Sequence, residues 1–521
     1  MGVHEAPFQY VNIDRSTGNL GVGQTAGEKN RMEGSFARQA GDALIWKTIQ
    51  LASTKGLFFV RTLILARLLA PADFGLFAIA LSAVGFFLTI TELGMVPALV
   101  QRREAEETHY DGAWSVGMLR ALGVSAVLVA AAPVIAHLFA EPRAATILRV
   151  LAAKPLIDAI ASIRVAELLR ELKYRRLALV SLSAAAVETV VSIAFATTLG
   201  VWALVAGALA GGAASVVVSY IVAPYRPRLV LDAHAIQPLI RFGRWVFLTA
   251  VVAVGANSLT QLVISRQLGA SELGLYFLAT KLAFAPYELA TQISGEVAFP
   301  LFARIQSDRA LVEKAFQAIL VGTVTFLLPV YVLLISLAPW FVQDVLGGRW
   351  SGTGPLIQVL GLAGLVSLFG EVCVPLFRGL GHPKWVVVLE LIQSSLVVAL
   401  LWSVVSRYGA VGAALAWLTG LGVSQVLHYW VARWLLESPL AGVWRPLALV
   451  STASLVGAAI AVALSQILDG LLGFVVAVNL ASVVTGILVW IFDRRFTLGL
   501  GSILRQTFPK IAGLIRVAPG T

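Results

Sequence analysis

Polar and basic side chains recur along one face of the first long apolar stretch, residues 42–68. At about 100° per residue they share one arc of a helix, although Leu51 and Phe58 interrupt it. The members of this arc are Lys47, Gln50, Thr54, Lys55 and Arg61. Cations inside a membrane suit an anion such as a diphosphate. Alternatively, Lys47 and Arg61 snorkel toward opposite membrane surfaces and leave only Lys55 deep.

A second polar face is expected from two later stretches. Residues 274–301 carry Lys281, Glu288 and Gln292 at i, i+7 and i+11, with Glu296 nearby. Asn257 and Gln261 lie four residues apart in the stretch before it. We predict that Lys281 and the amides line the same substrate path. The two carboxylates are candidates for coupling to Na⁺ or H⁺, or they neutralise neighbouring cations.

These faces must be held by membrane helices, because the chain is too apolar for water. Of its 521 residues 58% are hydrophobic and 13% charged, against roughly 25% charged in soluble domains. Stretches of about 20 apolar residues span a bilayer. The pattern predicts an all-α, polytopic membrane protein with about fourteen transmembrane helices. They lie near 42–68, 74–100, 113–139, 145–166, 178–199, 201–223, 243–267, 274–301, 314–342, 355–377, 384–406, 410–433, 446–466 and 471–492.

The charge distribution predicts the orientation of these helices. An even number of spans puts both termini on one side, and the loops on that side hold most of the Lys and Arg. This asymmetry predicts cytoplasmic termini, with a polar leader at 1–40 and a tail at 493–521. It also explains the net charge of +11 without nucleic acid. Cys373 is the sole cysteine, which excludes a disulfide framework.

An internal repeat divides the chain. The segment Ala66–Phe77 matches Ser265–Tyr276, aligning Arg67 with Arg266 and Gly75 with Gly274 at one offset of 199 residues. Six spans separate the copies, so both have the same orientation. We predict two six-helix lobes in parallel repeat around a central cavity, the N-lobe (41–242) and the C-lobe (243–445). Two extra C-terminal helices follow at 446–492.

Motifs for catalysis are absent from the sequence. It contains no P-loop, no Asp-x-Asp, no nucleophile elbow and no His cluster with metal-ligand spacing. No loop is long enough for a catalytic domain. The sequence therefore predicts a transporter without a cofactor, apart from the possible Na⁺ or H⁺.

Four short segments carry a family resemblance. They are Trp46–Leu69, Leu69–Phe77, Glu92–Met95 and Leu168–Arg176. Together they resemble Wzx-type polysaccharide flippases of the multidrug/oligosaccharidyl-lipid/polysaccharide exporter superfamily, closest to its exopolysaccharide branch, over residues 40–490. A multidrug/cation antiporter and a lipid II flippase of the same superfamily are the alternatives.

The resemblance implies a function and its setting. A flippase of this type moves undecaprenyl-diphosphate-linked oligosaccharide repeat units across the bacterial inner membrane by alternating access. Its expected partners are that lipid-linked substrate, membrane lipids, and a polysaccharide polymerase and co-polymerase. The polar leader departs from the shorter starts usual in the family.

Overall fold

A computed structural model describes residues 22–92, 94–101, 106–230 and 244–496, and side chains from residue 45 onward except at 97–98, 101, 244–247, 289–290, 292–297 and 495–496. These ranges are helical and contain no strand, which confirms the all-α prediction. The α-helices are α1 Val22–Leu68, α2 Pro71–Ile90, α3 Met95–Gln101, α4 Glu107–Leu138, α5 Ala144–Leu151, α6 Ala153–Ile160, α7 Val165–Arg170, α8 Tyr174–Leu199, α9 Val201–Val222, α10 Arg244–Ala283, α11 Ala285–Ile305, α12 Arg309–Trp340, α13 Thr353–Gly379, α14 Lys384–Leu436, α15 Trp444–Ser465 and α16 Gly470–Phe496. A π-helical turn (Phe341–Leu346) extends α12, and short 3₁₀ turns lie at Gly348–Trp350 and Ala441–Val443.

Eleven helices in the described ranges are long and apolar enough to cross a membrane, so the chain is a multi-pass membrane protein. Two of them are broken by a glycine with positive φ, Gly269 in α10 (φ 84°) and Gly409 in α14 (φ 61°). This backbone conformation costs glycine little, because glycine has no Cβ. Both breaks fall between spans that the sequence predicts as separate. The exact count of fourteen stays a prediction.

The predicted span 145–166 is not one continuous helix. It contains the eight-residue helices α5 and α6, which end at Leu151 and Ile160, and α7 begins at Val165. Pro155 contributes to the interruption, because it has no N–H to donate to the carbonyl of Leu151. The segment around Arg164 therefore lies beyond α6 and is free to contact the ends of neighbouring helices.

The two lobes meet through the repeated glycines. A Cβ on Gly75 would lie 1.8 Å from the carbonyl oxygen of Ala270, and a Cβ on Gly274 would lie 1.8 Å from that of Pro71. Gly75 and Gly274 are related by the 199-residue offset, and so are Pro71 and Ala270. The start of α2 and the second half of α10 therefore touch backbone to backbone in a pseudo-two-fold contact.

Arginines reinforce this contact in both directions, and we call the group of Arg67, Arg266 and Trp350 the interlobe latch. Arg67 donates to the carbonyls of Asp344 and Val345, both at 2.7 Å, after the third long helix of the C-lobe. Arg266 donates to the carbonyl of Leu138 at 3.1 Å, at the end of α4 in the N-lobe.

Trp350 completes the latch. Its indole Nε1–H donates to the carbonyl of Ala66 at 2.6 Å, and its fully buried ring packs edge-on against Phe74 at 5.1 Å between centroids. The lobes are thus joined at the end of the molecule where α1 finishes.

Candidate substrate path between the lobes

One ion pair joins the lobes within their membrane-spanning helices. Lys55 of α1 pairs with Glu288 of α11, 233 residues later in the chain. Lys55 lies thirteen residues before the end of α1, or about 20 Å along the helix from the latch. The two side chains remain 32% and 41% exposed, so the pair stays accessible. The sequence predicts both residues as site residues, and the structure brings them together.

Arg61 pairs inside the N-lobe instead. Its guanidinium contacts the carboxylate of Glu188 on α8 and packs over the ring of Phe58 at 5.3 Å. The side chain of Arg61 is 14% exposed and that of Glu188 is 31% exposed. Arg61 is therefore retained within the helix bundle, against the alternative that it snorkels to the membrane surface.

The other two predicted cations each pack against an aromatic ring. Lys47 sits eight residues before Lys55, about 12 Å along the helix, and its ammonium packs over the ring of Tyr174 at 5.1 Å. Lys281 packs over the ring of Phe277 at 5.8 Å. These contacts differ from the carboxylate contacts of Lys55 and Arg61.

The predicted polar neighbours fall into three groups. In α1, Gln50 donates to the Ser181 hydroxyl at 2.7 Å, and the Thr54 hydroxyl donates to the carbonyl of Gln50 at 2.8 Å. In α10, Gln261 donates to the Asn257 side-chain oxygen at 2.7 Å. The side chains of Gln292 and Glu296 lie outside the described residues.

Further contacts on this path have weak sequence signals. Ser82 of α2 donates to Ser258 of α10 at 3.1 Å, which adds a polar contact between the lobes. Glu188 stands in the sequence only as an isolated charge in an apolar span. Its ion pair with Arg61 depends on how α8 packs against α1, and residue spacing within either helix does not give that packing. Among the described residues no three His, Cys, Asp or Glu side chains gather as a metal site.

The fold and this path define a class of protein, a polytopic membrane transporter. The arrangement is similar to a solved structure of the lipid II flippase MurJ in an inward closed conformation, with a TM-score of 0.70 and 16% identity, covering 87% of this chain and 99% of that one. Such a likeness concerns the fold alone.

The sequence comparisons give the family. Residues 64–355 match the polysaccharide biosynthesis protein family, and the chain belongs to it. It is 28% identical to the succinoglycan biosynthesis transport protein ExoT of Rhizobium meliloti (strain 1021), over 65% of this chain and 68% of that one. It is 24% identical to the lipopolysaccharide biosynthesis protein WzxC of Escherichia coli (strain K12), over 74% and 79%. The predicted resemblance to polysaccharide flippases is confirmed, and the comparisons support a transporter rather than an enzyme.

Proposed function

We propose that this protein flips a lipid-linked oligosaccharide across the bacterial inner membrane by alternating access, with the diphosphate of the carrier lipid held at Lys55 and Arg61. The observation that carries the proposal is the pair of cations on α1, both placed within a membrane helix and both facing polar groups. A charge in hydrocarbon is costly unless a counter-charge or water accompanies it. The likeness to ExoT and WzxC supports polysaccharide precursors as the cargo class.

In the empty protein the carboxylates of Glu288 and Glu188 occupy these cations. A diphosphate brings more than one negative charge and several acceptor oxygens, so it competes well with a single carboxylate. Exchange at Lys55 releases Glu288, and with it one tie between the lobes. Substrate arrival thereby changes an interlobe contact, which an alternating-access transporter requires.

The interlobe latch defines the conformation in which the diphosphate replaces the carboxylate of Glu288 at Lys55. Because the lobes are joined where α1 finishes, the proposal has the substrate enter from the opposite side, near the start of the membrane-spanning part of α1 at Ile45. The charge pattern predicts that this side is cytoplasmic. The oligosaccharide headgroup enters from that side while the lipid tail stays in the bilayer. Breaking the latch then releases the headgroup on the opposite side.

Ion coupling and protein partners are also part of the proposed function. Glu288, once released from Lys55, is available for Na⁺ or H⁺, and Glu296 is the second candidate from the sequence. A polysaccharide polymerase and co-polymerase are the proposed partners, and we propose that both termini lie in the cytoplasm.

The test measures exopolysaccharide export in a strain that depends on this protein. Lys55→Ala, Arg61→Ala and the double variant are compared with wild type at equal membrane levels. We expect each single variant to lose most of the export and the double variant to lose nearly all of it. Normal export by the double variant contradicts the proposed path.

A matched control separates this effect from the loss of any ion pair in the membrane region. Lys154 pairs with Asp158 four residues later in α6, at 2.8 Å. Lys154→Ala therefore removes a membrane-region cation outside the interlobe face, and we expect it to retain export. Glu288→Gln is the informative companion, because it frees Lys55 and should strengthen binding of the diphosphate headgroup. If Lys154→Ala fails as badly as Lys55→Ala, the location of the cation is irrelevant and the path is wrong.

A further inference from the structure

A second polar site lies at the other end of the N-lobe from the latch. The first turn of α4, the chain after α6 and the chain after α9 enclose a half-open cavity of about 460 Å³. Helix α4 starts here and finishes at the latch, so the cavity opens where α1 begins. Its lining residues are Glu107, Asp111, Arg164, Tyr220, Pro224, Tyr225, Arg226 and Arg228. None of them belongs to the path between the lobes.

The wall formed by residues 224–230 is fastened to α4. The buried Ser115 hydroxyl accepts from the backbone N–H of Val230 at 2.9 Å. Its single proton is shared between the carbonyl of Asp111 at 2.7 Å and that of Arg228 at 3.1 Å. Pro224 and Pro227 fix φ on either side of Tyr225 and Arg226. The segment carrying both arginines is therefore held in one backbone conformation across the end of the helix.

Aromatic and polar groups fix the cavity floor. The Tyr225 hydroxyl donates to the Asp111 carboxylate at 2.5 Å. Burial, followed by this hydrogen bond, raises the pKa of the Tyr225 phenol above its ordinary value, so the phenol stays protonated and keeps donating. Opposite it, Arg164 pairs with Glu107 and packs over the ring of Tyr110 at 5.7 Å.

The charges of the cavity are unbalanced. Glu107 pairs with the cation Arg164, whereas Asp111 keeps its negative charge and accepts from the neutral Tyr225 hydroxyl. Arg226 and Arg228 are exposed, and neither forms an ion pair with a carboxylate in the described part of the chain. The cavity thus has three arginines against two carboxylates, and its net charge is positive.

We propose that this cavity binds the phosphate of an anionic lipid headgroup through Arg226 and Arg228. Guanidinium groups form paired hydrogen bonds with phosphate oxygens. The cavity lies where three membrane-region segments end, which is the level of lipid headgroups, and the leaflet facing the cytoplasm is rich in anionic lipid. Arginines that serve only to set the orientation of the helices in the membrane need to be on the correct side. They do not need a cavity or a backbone held by Ser115 and Tyr225.

The experiment is native mass spectrometry of the purified full chain with added phosphatidylglycerol. We expect the double variant Arg226→Ala/Arg228→Ala to bind this lipid about tenfold more weakly than wild type, because two charge-assisted contacts are lost. Arg304→Ala/Arg433→Ala is the matched control, since it removes two exposed arginines from the C-lobe. We expect less than a twofold change in the control.

A second arm identifies the source of the phosphate. Inorganic diphosphate is titrated against wild type and the Arg226→Ala/Arg228→Ala variant, with thermal unfolding as the readout. Loss of lipid binding in the variant supports a lipid site. Arginine-dependent stabilisation by diphosphate alone supports the same site with a soluble ligand. Equal binding of both ligands by the variant and wild type overturns the proposal, whatever the outcome at Lys55.

Discussion

The contact between Gly75 and Gly274 offers a direct test of how the lobes close. In Gly75→Ala the new methyl group would lie 1.8 Å from the carbonyl oxygen of Ala270, and in Gly274→Ala it would meet that of Pro71 at the same distance. Both neighbours are backbone atoms, so no side chain can rotate away. Relief requires α2 and the second half of α10 to separate by roughly 1.2 Å or more, since a real Cβ contact is almost never under 3.0 Å.

The magnitude follows from the packing. Overpacking of a tight contact costs about 1–3 kcal/mol, which shifts the equilibrium away from the joined lobes by about 5-fold to 150-fold. Gly85 lies in the same helix as Gly75, with nothing within 4 Å of a Cβ placed on it. Gly85→Ala should instead be neutral or stabilise by up to about 1 kcal/mol, because alanine is the better helix former.

Spin labels on the latch end measure the separation. Arg143 of the N-lobe and Arg407 of the C-lobe are exposed, whereas the native Cys373 is fully buried and escapes labelling. The distance between spin labels in the Arg143→Cys/Arg407→Cys background is measured by double electron–electron resonance. We expect Gly75→Ala to add a longer interlobe distance to the distribution and Gly85→Ala to leave the distribution unchanged. Identical distance distributions and melting temperatures for the two variants would refute the reasoning.

Two further predictions concern the latch. Arg67→Ala removes two hydrogen bonds to the C-lobe, whereas Arg266→Ala removes the hydrogen bond from its guanidinium to the carbonyl of Leu138 in the N-lobe. The same spin-label pair should therefore separate more in Arg67→Ala, and an equal or reversed order contradicts the latch. Trp350→Phe keeps a ring against Phe74 but loses the bond to the carbonyl of Ala66. We expect it to lower stability by about 1 kcal/mol, measured as a lower melting temperature, and an unchanged value shows that this bond contributes nothing.

The fold was predictable because its signals are local. Apolar stretches of spanning length and one repeated segment are sufficient to predict a polytopic helical protein. The repeat also aligned Arg67 with Arg266 and Gly75 with Gly274, the residues at the interlobe contact. The break between α5 and α6 is not predictable from the sequence, because a single proline such as Pro155 within an apolar stretch is equally compatible with one kinked helix.

The site was predictable only in part. The pattern of α1 marked Lys55 and Arg61 as cations within the membrane, but it could not give their partners. Glu288 and Glu188 meet them from helices far along the chain, and those meetings depend on tertiary packing. The aromatic neighbours of Lys47 and Lys281 likewise depend on tertiary packing or helix rotation, which the charge pattern alone does not give.

The internal repeat conserves the glycines and arginines of the interlobe contact, but it does not conserve the cations of α1. At the positions matching Lys55 and Arg61 the C-lobe has Val254 and Thr260. The two lobes thus share the residues of their contact, whereas both cations proposed to hold the diphosphate, Lys55 and Arg61, lie in the N-lobe. A substrate with one anionic end, such as the proposed lipid diphosphate, would therefore bind in a single orientation, with its diphosphate toward α1, before it is moved across the membrane.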